Sequence, residues 1–423
     1  MLPTLNSVFS LLLGMGVLLA GSGLLGTLLG LRATLEGFAE FTVGLIMSAF
    51  FAGYIVGSYL CPLLIRRVGH IRTFAALAAA SAVVALLHGM WLNAWVWGLL
   101  RLINGICILG LYMVVESWLS EQVVQRRGQV FAVYMMVSLA AMGAGQFLIA
   151  IYGPGDLASF ALVALLFCLG LIPLALTRRM QPVVTSSGSM PLRQLYNVSP
   201  VGATGALTSG LLTGAFWGLM AVYGLNIGLG SAGAAALVGA TIFGGAVLQW
   251  PIGLWSDRID RRVMLVRVTL AAALMAALIH LLNGRSLTGL LVLGTLYGGF
   301  SFSLYALSVS HTHDRMQAVN TMAATRGLLL LNGIGATLGP LFIGALMQLI
   351  HASVFPLFLA LMLVGMAVYA RHRIKLDPAV PAEDRGDFVP LTRTSPVAME
   401  LDPRADQESP TPPLPPEELA EQH

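Results

Sequence analysis

Twelve apolar runs, each at least 19 residues long, occupy most of the chain and restrict its fold more than any other feature. A hydrocarbon core about 30 Å thick needs roughly 20 helical residues for each crossing. The runs therefore predict an all-α integral membrane protein with twelve transmembrane helices. Their approximate bounds are 7–31, 40–65, 71–91, 95–120, 128–150, 157–177, 200–228, 232–255, 262–283, 287–310, 318–349 and 353–371.

The composition excludes a water-soluble fold. Of the 423 residues, 57% are hydrophobic and only 10% are charged, and the mean hydropathy is +0.83. A soluble core cannot bury that much apolar surface. The first run lacks a basic segment before it and a small-residue cleavage site after it, so it is predicted to remain as a helix.

Arginines divide the loops into two sets that alternate along the chain. One set holds twelve arginines, whereas the other holds only Arg32 and Arg285. Because arginine-rich loops stay in the cytoplasm, both termini are predicted to be cytoplasmic. The twelve are Arg66, Arg67, Arg72, Arg126, Arg127, Arg178, Arg179, Arg193, Arg258, Arg261, Arg262 and Arg315.

A charged turn separates two apolar runs at residues 249–262, with five charged residues in the six positions 257–262. A related turn at 62–72 lies 191 residues earlier. Together these repeats predict two halves with one architecture. Further pairs match at an offset of 193 residues, namely Gly105 with Gly298, Tyr112 with Tyr305, and Glu121 with Asp314.

The charged turns resemble the pattern G-x-L-x-D-R-x-G-R-R, which follows helices 2 and 8 in the major facilitator superfamily of secondary transporters. Trp255 replaces the Leu of that pattern, and Asp260 replaces its second Gly. The first turn has lost the Gly and the Asp but keeps basic residues. The gating positions that the resemblance implies are Arg67, Gly69, Arg72, Gly253, Asp257, Arg258, Arg261 and Arg262, together with Glu121 and Asp314.

Three shorter stretches resemble the bacterial YcaD-type branch of the superfamily, at residues 114–117, 132–137 and 249–253. The resemblance covers residues 8–372. It implies two six-helix pseudo-symmetric halves in the bacterial inner membrane. It also implies a small-molecule substrate that is moved by alternating access, coupling to protons, and a monomer in the lipid bilayer.

We predict four segments: a first half at 1–177, a cytoplasmic linker at 178–199, a second half at 200–376 and a tail at 377–423. The tail holds ten of the twenty prolines, and its eleven acids outnumber its three arginines. It cannot bury enough apolar surface to offset its ordering entropy, so we expect it to be disordered. A docking role for its Pro-Pro-Leu-Pro-Pro segment is the alternative.

Several functions are excluded or disfavoured. Lys375 is the only lysine, so a phosphate-binding G-x-x-x-x-G-K-[ST] loop cannot form. Cys61, Cys107 and Cys168 stand alone in apolar runs and are interpreted as packing residues. Without paired catalytic acids or a triad, we expect no enzyme and no cofactor. The positive charge belongs to the membrane body, so we expect no nucleic-acid partner.

The fourth apolar run carries a polar stripe. At about 100° per residue, Arg101, Gly105, Tyr112 and Glu116 share one helical face, and charge that faces lipid is costly. Arg101-x-x-Asn104-Gly105 resembles the superfamily pattern R-x-x-Q-G, whose Arg is linked to substrate or proton handling. Alternatively, Arg101 snorkels to the outer interface. Glu116 takes up a proton near neutrality or is a structural partner for an arginine.

Two more helical faces offer hydroxyl and aromatic groups to a cavity, although core packing is the better explanation for any single residue among them. No charged residue is predicted at mid-depth to dictate the ligand's charge, so efflux of amphipathic compounds and uptake of a small metabolite both fit. His311 and His313 lack a further ligand nearby, so no metal site is predicted. The additional cavity candidates are Ser209, Thr213, Trp217, Tyr297, Ser301, Tyr305 and Ser308.

Ion pairs at the cytoplasmic ends are predicted to act as latches. Glu121 would pair with Arg67 or Arg72, and Asp314 would pair with Arg258 or Arg262; the pairs would break when the cytoplasmic side opens. The function predicted overall is secondary transport. The alternative is a membrane sensor or scaffold with a transporter fold that signals through its tail.

Overall fold

In the computed structural model, the described residues are 2–122, 127–175, 190–316 and 321–381, together with 385, 386, 388 and 395. They form fourteen helices and, within these ranges, no strand. The helices α1 to α14 are Leu2–Leu35, Glu40–Val68, His70–Met90, Ala94–Gln122, Arg127–Phe147, Ile149–Tyr152, Leu157–Ala175, Leu192–Val198, Pro200–Asn226, Gly230–Arg258, Arg261–Leu282, Leu287–His313, Thr321–Leu349 and Val354–Leu376.

Twelve of the described helices are long and apolar enough to cross a membrane, which confirms the predicted all-α fold. The short helix α6 follows α5 directly. The other short helix, α8, falls within the segment that we predicted as a linker, whose residues 178–189 lie outside the described ranges. Ser199 then caps α9, because its Oγ accepts the Gly202 N–H at 3.3 Å.

The α2–α3 and α10–α11 turns lie at one end of the bundle, which we call the basic end; the opposite end is called the far end. Gly69 forms the first turn with a φ of 87°, a conformation that favours glycine. Asp260 begins α11 by accepting the Arg262 N–H at 2.9 Å. Because only one or two residues separate the flanking helices in each turn, those helices are antiparallel neighbours.

Matching glycine contacts show that the two halves repeat one packing arrangement. A Cβ atom on Gly105 of α4 would overlap the Phe50 carbonyl oxygen of α2. In the second half, a Cβ atom on Gly298 of α12 would overlap the Thr241 carbonyl oxygen of α10. The relation recurs nearby, with Gly53 against Leu102 in the first half and Gly244 against Thr295 in the second.

The two halves meet at the far end. Asn226 Nδ2 of α9 donates to Glu40 Oε1 of α2 at 3.3 Å, and the Phe41 N–H donates to Gln348 Oε1 of α13 at 3.3 Å. The halves are therefore joined at this end by hydrogen bonds as well as by packing. Glycines in these far-end contacts between the halves are Gly30, Gly44, Gly218 and Gly344.

Part of the segment after α14 lies against the basic end, although its composition predicts a solvated tail. Phe388 packs against the core, and Ser395 is only 2% exposed. The Asp377 carbonyl accepts from Arg262 Nη1 at 2.8 Å. Contacts of this kind offset the entropy that composition alone assigns to ordering such a segment.

Candidate functional site

A cavity of about 1070 Å³, counting the space open to solvent, lies between the two halves. Seven of its eighteen lining side chains are aromatic. Four long helices of each half contribute to it: α1, α2, α4, α5 and α9, α10, α12, α13. The lining residues are Ser22, Gly26, Phe50, Phe51, Tyr54, Arg101, Ile108, Tyr112, Ser138, Leu139, Met142, Ser209, Thr213, Trp217, Gln249, Phe302, Tyr305 and Asn332.

Six of the eleven side chains predicted to face a cavity line this one. On α9 the complete predicted set does so, because its members are four residues apart and share a face. The six are Arg101, Tyr112, Ser209, Thr213, Trp217 and Tyr305.

Three of the predicted residues on α12 lie outside the lining, although they share a helical face with Tyr305. Tyr297 is 1% exposed, and Ser301 is 5% exposed. The Ser308 hydroxyl donates to the Leu304 carbonyl at 2.7 Å and packs against α9. These side chains fill the interior of the second half.

Arg101 lies inside the bundle rather than at the outer interface. Its side chain is 6% exposed, and its guanidinium carbon lies 4.5 Å from the centre of the Phe50 ring. Asn104 Oδ1 accepts from Arg101 Nη1 at 3.3 Å, and Asn104 does not line the cavity itself. The interior position corrects the snorkelling alternative. It also places the charge of the predicted cavity residue Arg101 at the cavity wall.

Glu116 lies one turn beyond Tyr112 on α4, outside the cavity lining. It is fully buried, and its two carboxylate oxygens accept hydrogen bonds from two hydroxyls. The Tyr134 OH donates to Oε1 at 2.9 Å, and the Ser395 Oγ donates to Oε2. Glu116 thus contacts both α5 of the first half and the segment after α14.

Two buried amides that sequence reasoning missed line the cavity. Gln249 Nε2 donates to the Phe302 carbonyl at 3.0 Å, and Asn332 Nδ2 donates to the Ala206 carbonyl at 3.2 Å. Gln249 is the only amide of α10, and Asn332 stands in the apolar middle of α13, far from Gln348 at the end of that helix. Since polar groups in a membrane-spanning helix face the bundle interior, that isolation was the signal in the sequence.

The ion pair at the second charged turn differs from the predicted one. Asp314 pairs with Arg261 at 2.5 Å, rather than with Arg258 or Arg262. Arg261 is 1% exposed and also lies 3.3 Å from Asp257. These residues belong to α10, to α11 and to the end of α12, all in the second half, so a rigid movement of the halves does not require the pair to break.

Arg262 holds a second carboxylate at the same turn. Its Nη2 and Nε lie 2.7 Å and 3.1 Å from the Asp260 oxygens. Burial opposes ionisation of Asp260, but the hydrogen bonds and the charge of Arg262 outweigh it and lower the pKa of that carboxyl. Arg258, by contrast, is exposed.

At the first charged turn, Arg67 and Arg72 are exposed and form no ion pair with a described residue. The Glu121 side chain lies outside the described part of the structure. The predicted Glu121 pair therefore stays a prediction. Across the described residues, no group of three His, Cys, Asp or Glu side chains is placed to hold a metal ion.

Twelve membrane-spanning helices, repeated packing in two halves and a cavity between them define a membrane transporter built from internal repeats. The sequence model of the Major Facilitator Superfamily matches residues 11–331. The chain belongs to this superfamily of transporters, which are not enzymes, and it is a multi-pass membrane protein.

Curated relatives lie in the same branch that the sequence motifs indicated. The uncharacterized MFS-type transporter YcaD of Escherichia fergusonii is 27% identical over 81% of this chain and 89% of its own length. The uncharacterized MFS-type transporter Ent638_1421 of Enterobacter sp. (strain 638) is 30% identical over the same shares.

Solved structures share the fold at low sequence identity. The crystal structure of the nucleoside transporter NupG has a TM-score of 0.70 and 13% identity, covering 87% of this chain and 98% of that one. A bacterial homologue of the human lysosomal transporter Spinster, in an inward-facing and occupied conformation, has a TM-score of 0.68 and 13% identity. That likeness covers 90% of this chain and 98% of the homologue.

Proposed function

We propose that the chain moves a small organic molecule across the membrane by alternating access, with the cavity as the binding site. The observation that carries this proposal is a cavity lined by both halves while the halves are joined at the far end. Separating the far ends and bringing the basic ends together would expose the same lining to the opposite side.

The basic end is proposed to face the cytoplasm of the bacterial inner membrane, which makes both termini cytoplasmic. Twelve arginines in one set of loops against two in the other support this orientation. The similarity to bacterial YcaD-type proteins supports the choice of membrane.

Cysteine accessibility tests alternating access without a known substrate. Thr213→Cys places a thiol on the cavity wall, in a background that replaces Cys61, Cys107 and Cys168. An impermeant maleimide should label it from either side of the membrane. A crosslink between Phe41→Cys and Gln348→Cys fixes the two halves together at the far end. It should abolish labelling from the far side and leave labelling from the basic side unchanged.

Leu349→Cys is the control, because Leu349 is 81% exposed at the far end and should react in every state. Labelling of the cavity thiol from a single side before crosslinking, with the control reacting normally, would contradict alternating access.

We also propose that Glu116 carries a proton. Its burial inside the bundle and its position one turn from the cavity-lining Tyr112 support this role, because ionisable side chains inside membrane-spanning helices mark proton relays. Glu116→Gln should abolish substrate-coupled proton flux in proteoliposomes, whereas Glu36→Gln at the far end should not. Compounds for the assay come from a thermal-shift screen of the purified chain. Unchanged coupling in Glu116→Gln would refute the proton role.

A further inference from the structure

Arg101 is a buried cation without a carboxylate partner. Its polar neighbours are Asn104 Oδ1 at 3.3 Å and the Met47 sulfur at 3.6 Å, and neither carries a negative charge. Arg101 Nε and Asn104 Nδ2 have no hydrogen-bond partner among the described residues. Burying an unpaired charge is unfavourable, and a guanidinium remains protonated in proteins, so the site favours an anion.

The rest of the cavity wall adds no opposing charge. Arg101 is the only charged side chain among the described lining residues. Around it are aromatic rings, among them Phe50, Tyr54 and Trp217, together with hydroxyl groups. A guanidinium binds a carboxylate or a sulfonate through paired N–H donors, while aromatic side chains accommodate an apolar body.

Arg101 also lies close to the closed end of the cavity. It is seven residues from the start of α4, or about 10 Å along the helix. Gln249 and Tyr305 lie nearer the basic end of their helices. An elongated ligand would therefore place its charged group beside Arg101 and its apolar body toward the basic end.

We infer that the cavity binds an amphipathic organic anion, with its acidic group paired to Arg101 and its aromatic or aliphatic body against the aromatic wall. The interpretation of this anion as a transported substrate rests on the proposed function, but its binding can be measured without transport. The two ideas can therefore fail separately: a charge-selective cavity without two-sided access would refute transport alone.

Probes that share one ring system and carry similar-sized groups of different charge test this inference. Naphthoate, naphthamide and naphthylmethylammonium present one ring system with an anionic, a neutral and a cationic group; phenyl and decyl series extend the test to other sizes. Binding to the full chain in nanodiscs is measured by equilibrium dialysis. We expect the anion to bind best in at least one series, and Arg101→Gln to weaken its binding about tenfold or more.

Arg101→Lys keeps the charge and should retain part of the affinity, while Arg285→Gln removes an exposed far-end arginine and should change nothing. Thermal unfolding checks that each variant is folded. Equal binding of the three charge forms, no binding in any series, or an unaltered anion affinity in folded Arg101→Gln would overturn the inference.

A separate set of contacts joins the segment after α14 to both halves. At the second half, the Gly386 carbonyl accepts from Arg261 Nη2, and the Gly386 N–H donates to Asp314 Oδ1 at 3.2 Å. The Phe388 N–H donates to Asp257 Oδ1 at 2.9 Å. Charged side chains of three consecutive helical elements thus bind the backbone of this segment.

Side-chain contacts complete the attachment. The Phe388 ring occupies the space beside Gly253 on α10 that a Cβ atom there would need. Seven residues later, Ser395 is buried at Glu116 of the first half. Glu116 lies on the same face of α4 as the cavity-lining Tyr112, so Ser395 occupies space between the halves that closing of the basic ends would need.

We propose that the contacts of Gly386, Phe388 and Ser395 form an autoinhibitory clamp, which must release before the basic ends can close. The clamp acts on the proposed alternating access. In the state that is closed at the far end, Asp257 and Asp314 hold the clamp in place through their hydrogen bonds to its backbone.

Two truncations test the clamp. Ending the chain after residue 384 removes all three contact residues, whereas ending it after residue 400 keeps them. Far-side labelling of Thr213→Cys should become several-fold faster in the shorter chain and stay unchanged in the longer one. Phe388→Asp with Ser395→Ala should reproduce the faster labelling in a full-length chain. Equal rates in the clamp variants and the unaltered chain would refute the clamp, even where labelling from both sides confirms alternating access.

Discussion

Arg101 and Glu116 lie about four turns apart on one face of α4, and the bundle gives their charges different surroundings. Arg101 lines the cavity beside the Phe50 ring. Glu116 is enclosed by hydroxyl donors from Tyr134 and Ser395. The periodicity of the sequence identified the face, but the depth of each residue and its neighbours decided which of the two side chains lines the cavity.

The buried pair at the second charged turn gives a prediction for stability. Asp314→Asn leaves Arg261 in an interior site with one carboxylate fewer, and breaking a buried pair in this way should lower the free energy of unfolding by about 3 kcal/mol. Reversible unfolding in mixed micelles measures the change. The exposed Arg258→Gln should stay within about 0.5 kcal/mol, and equal losses in the two variants would contradict the burial argument.

Asp260 gives a prediction for pH dependence. Because its pKa is lower in the folded chain than the ordinary 3.8, its contribution to stability is present above that pH and is lost as the pH falls through the folded pKa. Asp260→Ala should therefore destabilise the chain at neutral pH, and the difference should narrow below about pH 4. Unfolding midpoints measured across this range check it. With Arg262→Gln as the background, the pH-dependent part should shrink; a difference independent of pH would count against the ion pair.

At the scale of helices, the sequence identified all twelve spans and the two-fold repeat, because apolar length and loop charge are local properties of the chain. Rotation of the helices was harder to predict. The pairing of Asp314 with Arg261 depends on how α11 and α12 face each other, and three arginines within five positions offered competing partners. The position of Ser308 likewise depends on how α12 packs against α9.

The glycine contacts between paired helices predict a large difference between two glycines of α4. Gly105→Ala would drive a Cβ atom into the α2 backbone and should destabilise the chain by about 1–3 kcal/mol. Gly98 has open space around its position, so Gly98→Ala should be neutral or stabilise the helix by up to about 1 kcal/mol. Thermal unfolding in detergent compares them, and similar midpoints would show that the close approach is not a constraint.

At the scale of the whole molecule, the fold follows from the sequence, whereas its conformation does not. Hydropathy predicts that the two halves exist. The relative stability of the state closed at the far end and the state closed at the basic end depends on many weak contacts at both ends. Here the far-end contacts and the contacts of the segment after α14 both favour the state that is closed at the far end. The sequence showed that segment as polar and gave no sign of its attachment.

A bulky residue at the far-end interface should shift this balance. Gly44→Leu would collide with the Pro340 backbone of the other half, so the far ends should move apart. Spin labels at the exposed Leu35 and Leu349, one in each half, should report a longer distance in this variant. Gly365→Leu, where the position is open, should leave the distance distribution unchanged; a similar distribution in both variants would show that Gly44 does not control closure.

The single arginine among the described residues of the cavity wall has an electrical consequence. Arg101 is fixed to its helix, so a monovalent anion that passes through the cavity alone transfers net charge across the bilayer, and each 100 mV of membrane potential changes its driving force by about 2.3 kcal/mol. One proton travelling with that anion cancels the charge. The voltage dependence of flux, measured with ionophores in vesicles, therefore distinguishes a lone anion from an anion accompanied by a proton.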